Sequence, residues 1–432
     1  MLRGLRRFRE WLVLTNLGVV ILAAGLVAYF FFGLPRADYA VQIVAAVAIA
    51  LVAGAFLVVV VGALLTHLAL KREPIEAPPL YFEAVSGFAT ALTMPARRWF
   101  PLLEVEWVWE TPEAMTVTSA RVEGSILENV ESPARTHAKQ IRRRFVIEDG
   151  FGLARIVLRR EEAREVTVVP WVGALSRSPL LRSLASGDDR PHPRGALEGD
   201  RVDMRRYVPG DPLRLALWKV YARTRVLMVR TPERAIAPAV RVAAYLVAAR
   251  GDEAPAAAAR VAVEGGLLGE RWVFGADGGE RLASTREEAL AQIVDSRRYS
   301  NDAELGHGGG LTHFLAAASE DEPARAVLFV PAVGGAWVDT VAAAIARHPA
   351  HTSVVLVADG VVDEPTKTPV AERVLRVPED PDPSEENVAN AAEISSIAKR
   401  LARAGAEVGA VNRVTGRTIP LGLGQAMERH VA

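Results

Sequence analysis

Two uninterrupted apolar runs set the first limit on what this chain can fold into. Between Trp11 and Phe32, and again between Ala40 and Leu70, no side chain is charged at neutral pH. Each run exceeds the roughly 20 residues a helix needs to cross bilayer hydrocarbon. Backbone amides in lipid find no water to bond, so such runs are helical, and a two-helix transmembrane hairpin is expected. The first run ends in Tyr29-Phe30-Phe31-Phe32. This is an aromatic belt rather than a small-residue cleavage site, so the segment is expected to be retained. Arg3, Arg6, Arg7 and Arg9 precede the first run and Lys71 and Arg72 follow the second, while the loop between holds only Arg36 against Asp38. Both ends of the hairpin therefore face the cytoplasm. Thr15, Asn16, Gln42 and His67 are the strongly polar residues of the spans, and no carboxylate sits at mid-depth, which argues against transport or proton relay. Ala46, Ala50 and Gly54 recur at a spacing that lets helix backbones approach closely in lipid. Packing of the two spans on each other is the reading taken, with a partner helix as the alternative.

At 432 residues the chain exceeds one ordinary core, and domains of about 100–200 residues predict two or three units. Lysine plus arginine equals aspartate plus glutamate at 51 each, so any charge-driven contact needs a local patch. The absence of cysteine removes disulfides, thiolate nucleophiles, zinc–thiolate sites and iron–sulfur clusters.

Pro74, Pro78 and Pro79 break the second helix and open a region with a period of two. Leu103, Val105, Trp107 and Trp109 alternate with Glu104, Glu106, Val108 and Glu110, the pattern of a half-buried strand. Further β-rich runs lie near 115–122, 140–147, 154–158 and 165–169, and an antiparallel β-sandwich of about 90 residues is the economical fold. Arg142-Arg143-Arg144 falls inside it; alternate arginines on an exposed strand facing nearby glutamates are expected, rather than a phosphate site. After Pro238 the texture becomes short apolar strands alternating with alanine-rich helices, from 240–248 through 407–411. That alternation implies a mainly parallel sheet with helices on both faces. Residues 359–386, with five prolines and mostly acidic charge, are expected to form a surface excursion.

Between these regions, Ser186 to Gly199 is rich in glycine, proline and charge and is expected to be an extended loop. It leads into Arg205-Arg206-Tyr207, the turn Pro209-Gly210-Asp211-Pro212, then Arg214, Trp218, Lys219, Ala222-Arg223 and Leu227. From Arg201 to Arg234 there are nine basic residues and three acidic ones in a neutral chain. Planar guanidinium groups suit two jobs here: docking an acidic or phosphorylated partner, or pinning a long loop through carbonyls and carboxylates. Tyr207, Trp218 and Tyr221 are too few for a base-stacking platform, so a nucleic-acid partner is not expected.

This stretch resembles the signature of a bacterial membrane-associated family, domain of unknown function 58, with its Arg-x-Tyr-x-x-Gly-Asp, Arg-x-Ile-x-Trp and Ala-Arg elements; Ala216 stands in place of the family's isoleucine. The upstream Asp149-Gly150-Phe151-Gly152-Leu153, with Gly150 where the family has proline, and the strand end Val168-Val169-Pro170 are similar to the same family. The resemblance implies four segments: a hairpin over 1–72, a β-sandwich domain over 73–170, the signature over 171–238, and a von Willebrand factor A-like (Rossmann-like) α/β domain over 239–432. It also implies a bacterial inner-membrane location and a MoxR-type AAA+ ATPase as partner.

Metal-binding domains of the A-like kind place Asp-x-Ser-x-Ser after the first strand, a threonine later and an aspartate after a central strand, hard oxygens suited to magnesium. Here Asp252 and Thr312 match in part, the serines are missing, and the central strand runs into Val330-Pro331-Ala332. The metal site is therefore expected to be lost, and no cofactor is expected. Gly308-Gly309-Gly310 lacks the Lys-Ser/Thr of a phosphate loop; His307, His313, His348 and His351 lack metal-ligand spacing; no Gly-x-Ser-x-Gly elbow occurs. The expectation is a non-catalytic adaptor anchored in the bilayer, its signature residues Arg205, Arg206, Tyr207, Gly210, Asp211, Arg214, Trp218, Lys219 and Arg223 forming a joint or docking surface. The alternatives are a hydrolase using the Arg/Asp/Tyr cluster and a structural membrane protein without an ATPase partner.

Overall fold

The computed structural model describes residues 13–72, 78–95, 103–122, 125–183, 190–196, 203–208, 216–231, 235–236, 241–320, 322–348, 351–362 and 389–422. The chain forms two compact units, Met1–Trp171 and Val172–Ala432.

The first unit opens with α1 (Asn16–Val27), which continues as a π-helical turn over Ala28–Gly33 and a last helical turn over Leu34–Arg36; α2 (Tyr39–Arg72) returns. The chain reverses at Ala37, with φ of 51°, and Asp38 Oδ1 accepts from the Ala40 and Val41 amides at 3.1 and 3.2 Å. Gln42 spends its amide on the Gly33 carbonyl oxygen at 3.0 Å, so this polar side chain closes the turn. At 1.5 Å per residue, the 21-residue stretch Asn16–Arg36 spans about 31 Å, one bilayer core. Leu17, Val20, Phe31, Ile43, Val44 and Leu57 are exposed around both helices, an apolar belt that suits lipid rather than water. Two helices long and apolar enough to cross a membrane thus follow from the two runs.

The spans do not meet on the face expected. Gly25 lies against Ala45, Ala48 and Ile49, and Ala45, Val52, Ala55 and Val59 are buried. Ala46, Ala50 and Gly54 are exposed, with nothing within 4 Å of a Cβ built on Gly54. The contact is made one residue along the helix, where Gly25 supplies the close approach.

The 33-residue stretch of α2 is about 50 Å long, roughly 20 Å more than a helix needs to cross a bilayer core. Its C-terminal end enters the β-rich part of the unit. Strands β1 (Leu80–Glu83), β2 (Phe88–Pro95), β3 (Leu103–Thr111), β4 (Thr116–Val122), β5 (Ser125–Glu131), β6 (Thr136–Ala138), β7 (Ile141–Asp149), β8 (Arg155–Glu162) and β9 (Val166–Val169) form three sheets ordered β1-β9-β6, β2-β5-β4 and β3-β7-β8. Pairing is antiparallel except that β1 runs parallel to β9, which the antiparallel expectation missed. Val59, Ala63 and Leu70 share one core with Leu92, Met94, Trp107, Phe145 and Ile147. Trp109, Ile141, Val166 and Val168 build a second.

Along β7 every second residue is buried; Arg142 and Arg144 face Glu161 and Glu110 as expected of alternate arginines, but Arg143 between them is buried. Its guanidinium meets Glu128 and Glu162, with Nη1 2.5 Å from Glu162 Oε2. Glu128 also accepts the indole N–H groups of Trp107 and Trp109 at 2.9 and 2.8 Å and bonds the Thr90 hydroxyl. Burial works against the Arg143 charge, but hydrogen bonds and charge from Glu128, then Glu162, outweigh it and raise the pKa above the ordinary arginine value. Arg142 pairs with Glu161 at the surface.

The second unit begins with a segment whose Leu175 and Leu181, the latter in α3 (Pro179–Ser183), are buried against the parallel sheet. β10 (Arg190–Ala196) pairs with β13 (Ala235–Ile236), so part of the presumed loop is a strand. β11 (Asp203–Arg206), α4 (Trp218–Thr224) and β12 (Met228–Thr231) follow. The five-stranded sheet, wholly parallel, comprises β14 (Val242–Leu246), β15 (Trp272–Ala276), β16 (Arg325–Pro331), β17 (Thr352–Ala358) and β20 (Glu407–Asn412), ordered β15-β14-β16-β17-β20. A short pair, β18 (Val361–Val362) and β19 (Ala389–Asn390), adjoins it.

Successive strand residues point to opposite faces and build two cores. Tyr245, Leu328, Leu356 and Ala410 pack with α7 (Leu311–Ala318), α8 (Trp337–Arg347) and α9 (Ala391–Arg403). Leu246, Phe329, Val357 and Val411 pack with α5 (Glu253–Glu264) and α6 (Arg286–Asp295). The alanines of α5 let it lie close to the sheet, and Pro255 sits in its first turn where no helical N–H is lost. α6 starts with a capping box between Thr285 and Glu288. Most of the acidic, proline-rich stretch expected as an excursion lies outside the described residues.

Candidate functional site: the signature strands and the carboxyl edge of the sheet

The described part of the signature is a small antiparallel arrangement. Arg205 pairs with Val229 and Arg206 with Met228, and the Tyr207 amide donates to the Leu227 carbonyl oxygen at 2.9 Å. Leu217 precedes α4 and its amide donates to the Met228 carbonyl oxygen at 2.8 Å. α4 ends where Arg225 takes φ of 57° and its amide caps back to Tyr221. Trp218 is 58 % exposed and stands edge-on to Tyr221 with ring centres 6.4 Å apart. Arg206, Lys219, Arg223 and Arg225 are exposed, while Tyr207 is half-buried. The turn with Gly210, Asp211 and Arg214 lies outside the described residues, so their relation to Trp218 is not part of this geometry. Leu217, not an acidic side chain, occupies the N-cap of α4.

The chain reverses direction across the sheet between β14 and β16, and in such sheets ligands sit beyond the carboxyl ends of the strands at that crevice. Four carboxylates follow strand ends or open the helix there: Asp252, Glu253, Asp277 and Asp359. Asp252 is fully buried; Arg297 Nη1 lies 3.1 Å from its Oδ1, and the Ser300 hydroxyl donates to its Oδ2. The same guanidinium reaches Glu253, with Nε 3.6 Å from Oε1. Asp359 pairs with Arg413, Nε to Oδ1 2.5 Å, and Arg413 Nη1 donates to the Glu253 carbonyl oxygen at 3.3 Å. Burial raises the Asp359 pKa, the Arg413 charge opposes the rise, and Glu253 adds to it.

Asp277 binds the glycine-rich loop. Its carboxylate accepts from the Tyr245 hydroxyl at 2.6 Å and from the Ala248 and Gly308 amides at 2.8 Å each, with a further bond from the Gly310 amide. His307 and Gly308 take φ of 55° and 80°, which turns these amides inward. Burial pushes the Asp277 pKa up to about 6 against these donors. The triple glycine therefore cradles a carboxylate of its own chain.

Of the two partial metal-site residues, Asp252 is held by protein groups and Thr312 is exposed in the first turn of α7. Among the described residues no group of three histidine, aspartate or glutamate side chains is arranged to hold a metal ion. The sequence reading missed Arg297, Ser300, Asp277, Asp359 and Arg413. An acidic residue directly after a buried apolar strand, as at Asp277 and Asp359, was the signal available. Against known proteins, no family model matches the chain, and no curated protein or solved structure shows significant similarity to it.

Proposed function

We propose that the chain is a bacterial inner-membrane adaptor without catalytic chemistry of its own. It works beside a MoxR-type AAA+ ATPase in assembling or activating other protein complexes, with both termini in the cytoplasm. The observation that carries the reading is the exposed face of α4, where Trp218 stands beside Lys219, Tyr221 and Arg223. A large aromatic with flanking cations is the composition of an interface anchor rather than of a solvated helix. The carboxyl edge supports the same reading, because arginines of the chain already occupy three of its four carboxylates, Asp252, Glu253 and Asp359. The all-parallel sheet, with arginines on most of its edge carboxylates, supports reading the second unit as a von Willebrand factor A-like domain without its metal, in keeping with the likeness to domain of unknown function 58.

Purification of the full chain from membranes in mild detergent, with nucleotide trapping, tests the proposal. An AAA+ ATPase is expected to co-purify and to be lost with Trp218→Ala and Arg223→Glu at unchanged yield. Recovery of no ATPase overturns the proposal. A turnover screen in which Asp211→Asn and Arg214→Ala both abolish an activity while folding survives would establish the hydrolase alternative instead.

A further inference from the structure

The turn Asp149–Leu153 has a structural role that its position between β7 and β8 alone does not explain. Asp149 accepts from the amides of Phe151, Leu153 and Ala154 at 2.9, 2.8 and 2.5 Å, and Gly152 takes φ of 68° to close the loop. The carbonyl oxygens on its outer side are bonded by the start of the membrane hairpin. The Thr15 hydroxyl donates to the Gly152 oxygen at 2.6 Å, the Thr15 amide to the Leu153 oxygen at 3.0 Å, and the Arg155 amide to the Val13 oxygen at 2.7 Å. Gly18, one helical turn into α1, lies so close to the Leu153 oxygen that a Cβ there would collide with it. The turn is thus fastened to α1 at its first residues.

That attachment fixes its depth. Twenty residues, about 30 Å of helix, counted back from the reversal at Ala37 place the inner edge of the hydrocarbon at Leu17. Leu17 is itself exposed. Leu153 points into the core, but Phe151 is 54 % exposed at this level. An exposed aromatic ring held beside the first turn of a transmembrane helix meets the boundary between headgroups and acyl chains, where apolar side chains bury several ångströms. We infer that Phe151 is a third membrane contact of this protein: the Asp149–Leu153 turn seats the β-rich unit on the cytoplasmic face of the bilayer by inserting the Phe151 ring at the lipid boundary. The inference rests on the hairpin spanning the membrane.

Because the chain has no cysteine, single labels are clean. The full chain in phosphatidylcholine–phosphatidylglycerol vesicles is labelled with an environment-sensitive fluorophore at one of three positions. These are Phe151→Cys, Val47→Cys on the exposed face of α2 at mid-depth, and Glu113→Cys in the exposed turn at the far end of β3, about 27 Å away by strand length. Lipids carrying a nitroxide near the headgroup or deep in the chain are the quenchers. The inference expects a blue-shifted emission at position 151, quenched most by the shallow nitroxide, and none at 113. Lipid quenching at 47 with a water-like signal at 151 overturns the inference alone. Protection at 151 without lipid quenching, the mark of a protein cover, also overturns it. A water-like signal at 47 overturns the membrane reading beneath it. The same far-ultraviolet circular dichroism and unfolding midpoint in all three labelled chains confirm that they are folded alike.

Discussion

Arg143 and Glu128 face each other fork to fork in the interior of the first unit, with Nη2 2.9 Å from Oε2 and Nε 3.0 Å from Oε1, both side chains almost wholly removed from solvent. A buried charge that loses its partner costs more than the pair contributes, because desolvation is then uncompensated. Arg143→Met alone is expected to destabilise the unit by about 3–5 kcal/mol, since Glu128 and Glu162 are left facing each other. The double change Arg143→Met with Glu128→Gln should recover a large part of that loss. Denaturant unfolding of the four members of this cycle in detergent is the measurement; additive losses would show that the two residues are not coupled.

At the other unit's carboxyl edge, Arg413 does for Asp359 what Arg143 does for Glu128. The Asp359 pKa is already raised by burial and held back by the Arg413 charge, so Arg413→Met should raise it further. A carboxyl group whose folded pKa lies above its unfolded value stabilises the fold below the unfolded value, and that stability is lost as pH rises through the folded one. The variant should therefore be closest to wild type near pH 4 and most destabilised above pH 7, by roughly 3 kcal/mol. Adding Asp359→Asn should flatten the difference. Unfolding midpoints at both ends of the range decide it.

These ion pairs mark where reading the sequence stopped short. Parallel strands buried on both faces read as continuous apolar runs. Accordingly, β17 (Thr352–Ala358), buried along its whole length, lies in the apolar strand–helix alternation that begins after Pro238. The hairpin was equally plain from its uncharged runs. The β-rich part was harder, because β1 and β6 have only four and three residues and the parallel β1–β9 pairing joins segments far apart in the chain. The candidate site was least legible. Arg297 lies 45 positions from Asp252 and Arg413 160 positions from Glu253, and no local pattern announces a pairing at that distance. A triplet of arginines likewise reads as surface until the fold buries its middle member.

Two helical glycines give a contrast that composition could not. Gly18 abuts the Leu153 carbonyl, whereas Gly54 has open space where a Cβ would sit. Gly18→Ala must push the turn off α1 and is expected to cost about 1–3 kcal/mol, the range for overpacking a close contact. Gly54→Ala should be neutral or slightly stabilising, since alanine is the better helix former by about 1 kcal/mol. Thermal unfolding of both variants in the same detergent measures the difference, and equal shifts would argue against the tight Thr15–Leu153 attachment.

Asp277 gives the second unit a pH dependence near neutrality. Burial lifts its pKa from 3.8 to about 6 even though Tyr245, Ala248, Gly308 and Gly310 donate to it. The folded state therefore holds this proton more tightly than the unfolded chain. Its stabilising contribution is complete below about pH 4 and disappears as pH rises through about 6, a swing of roughly 3 kcal/mol at 1.36 kcal/mol per pKa unit. Asp277→Asn cannot titrate, so the change in unfolding free energy between pH 4.5 and 7.5 should shrink by about 2 kcal/mol relative to wild type, the part of that swing that falls inside this interval. With its oxygen in the Oδ2 place, the asparagine still accepts from the Ala248 and Gly308 amides, and its amide nitrogen donates to the Tyr245 hydroxyl oxygen, so the variant should keep the fold. Tyr245→Phe is the second arm: it removes one donor and the 2.6 Å bond, so ionised Asp277 becomes less favourable and the midpoint of the stability change should move to higher pH. A stability profile that keeps the wild-type slope in Asp277→Asn would assign the titration to another group.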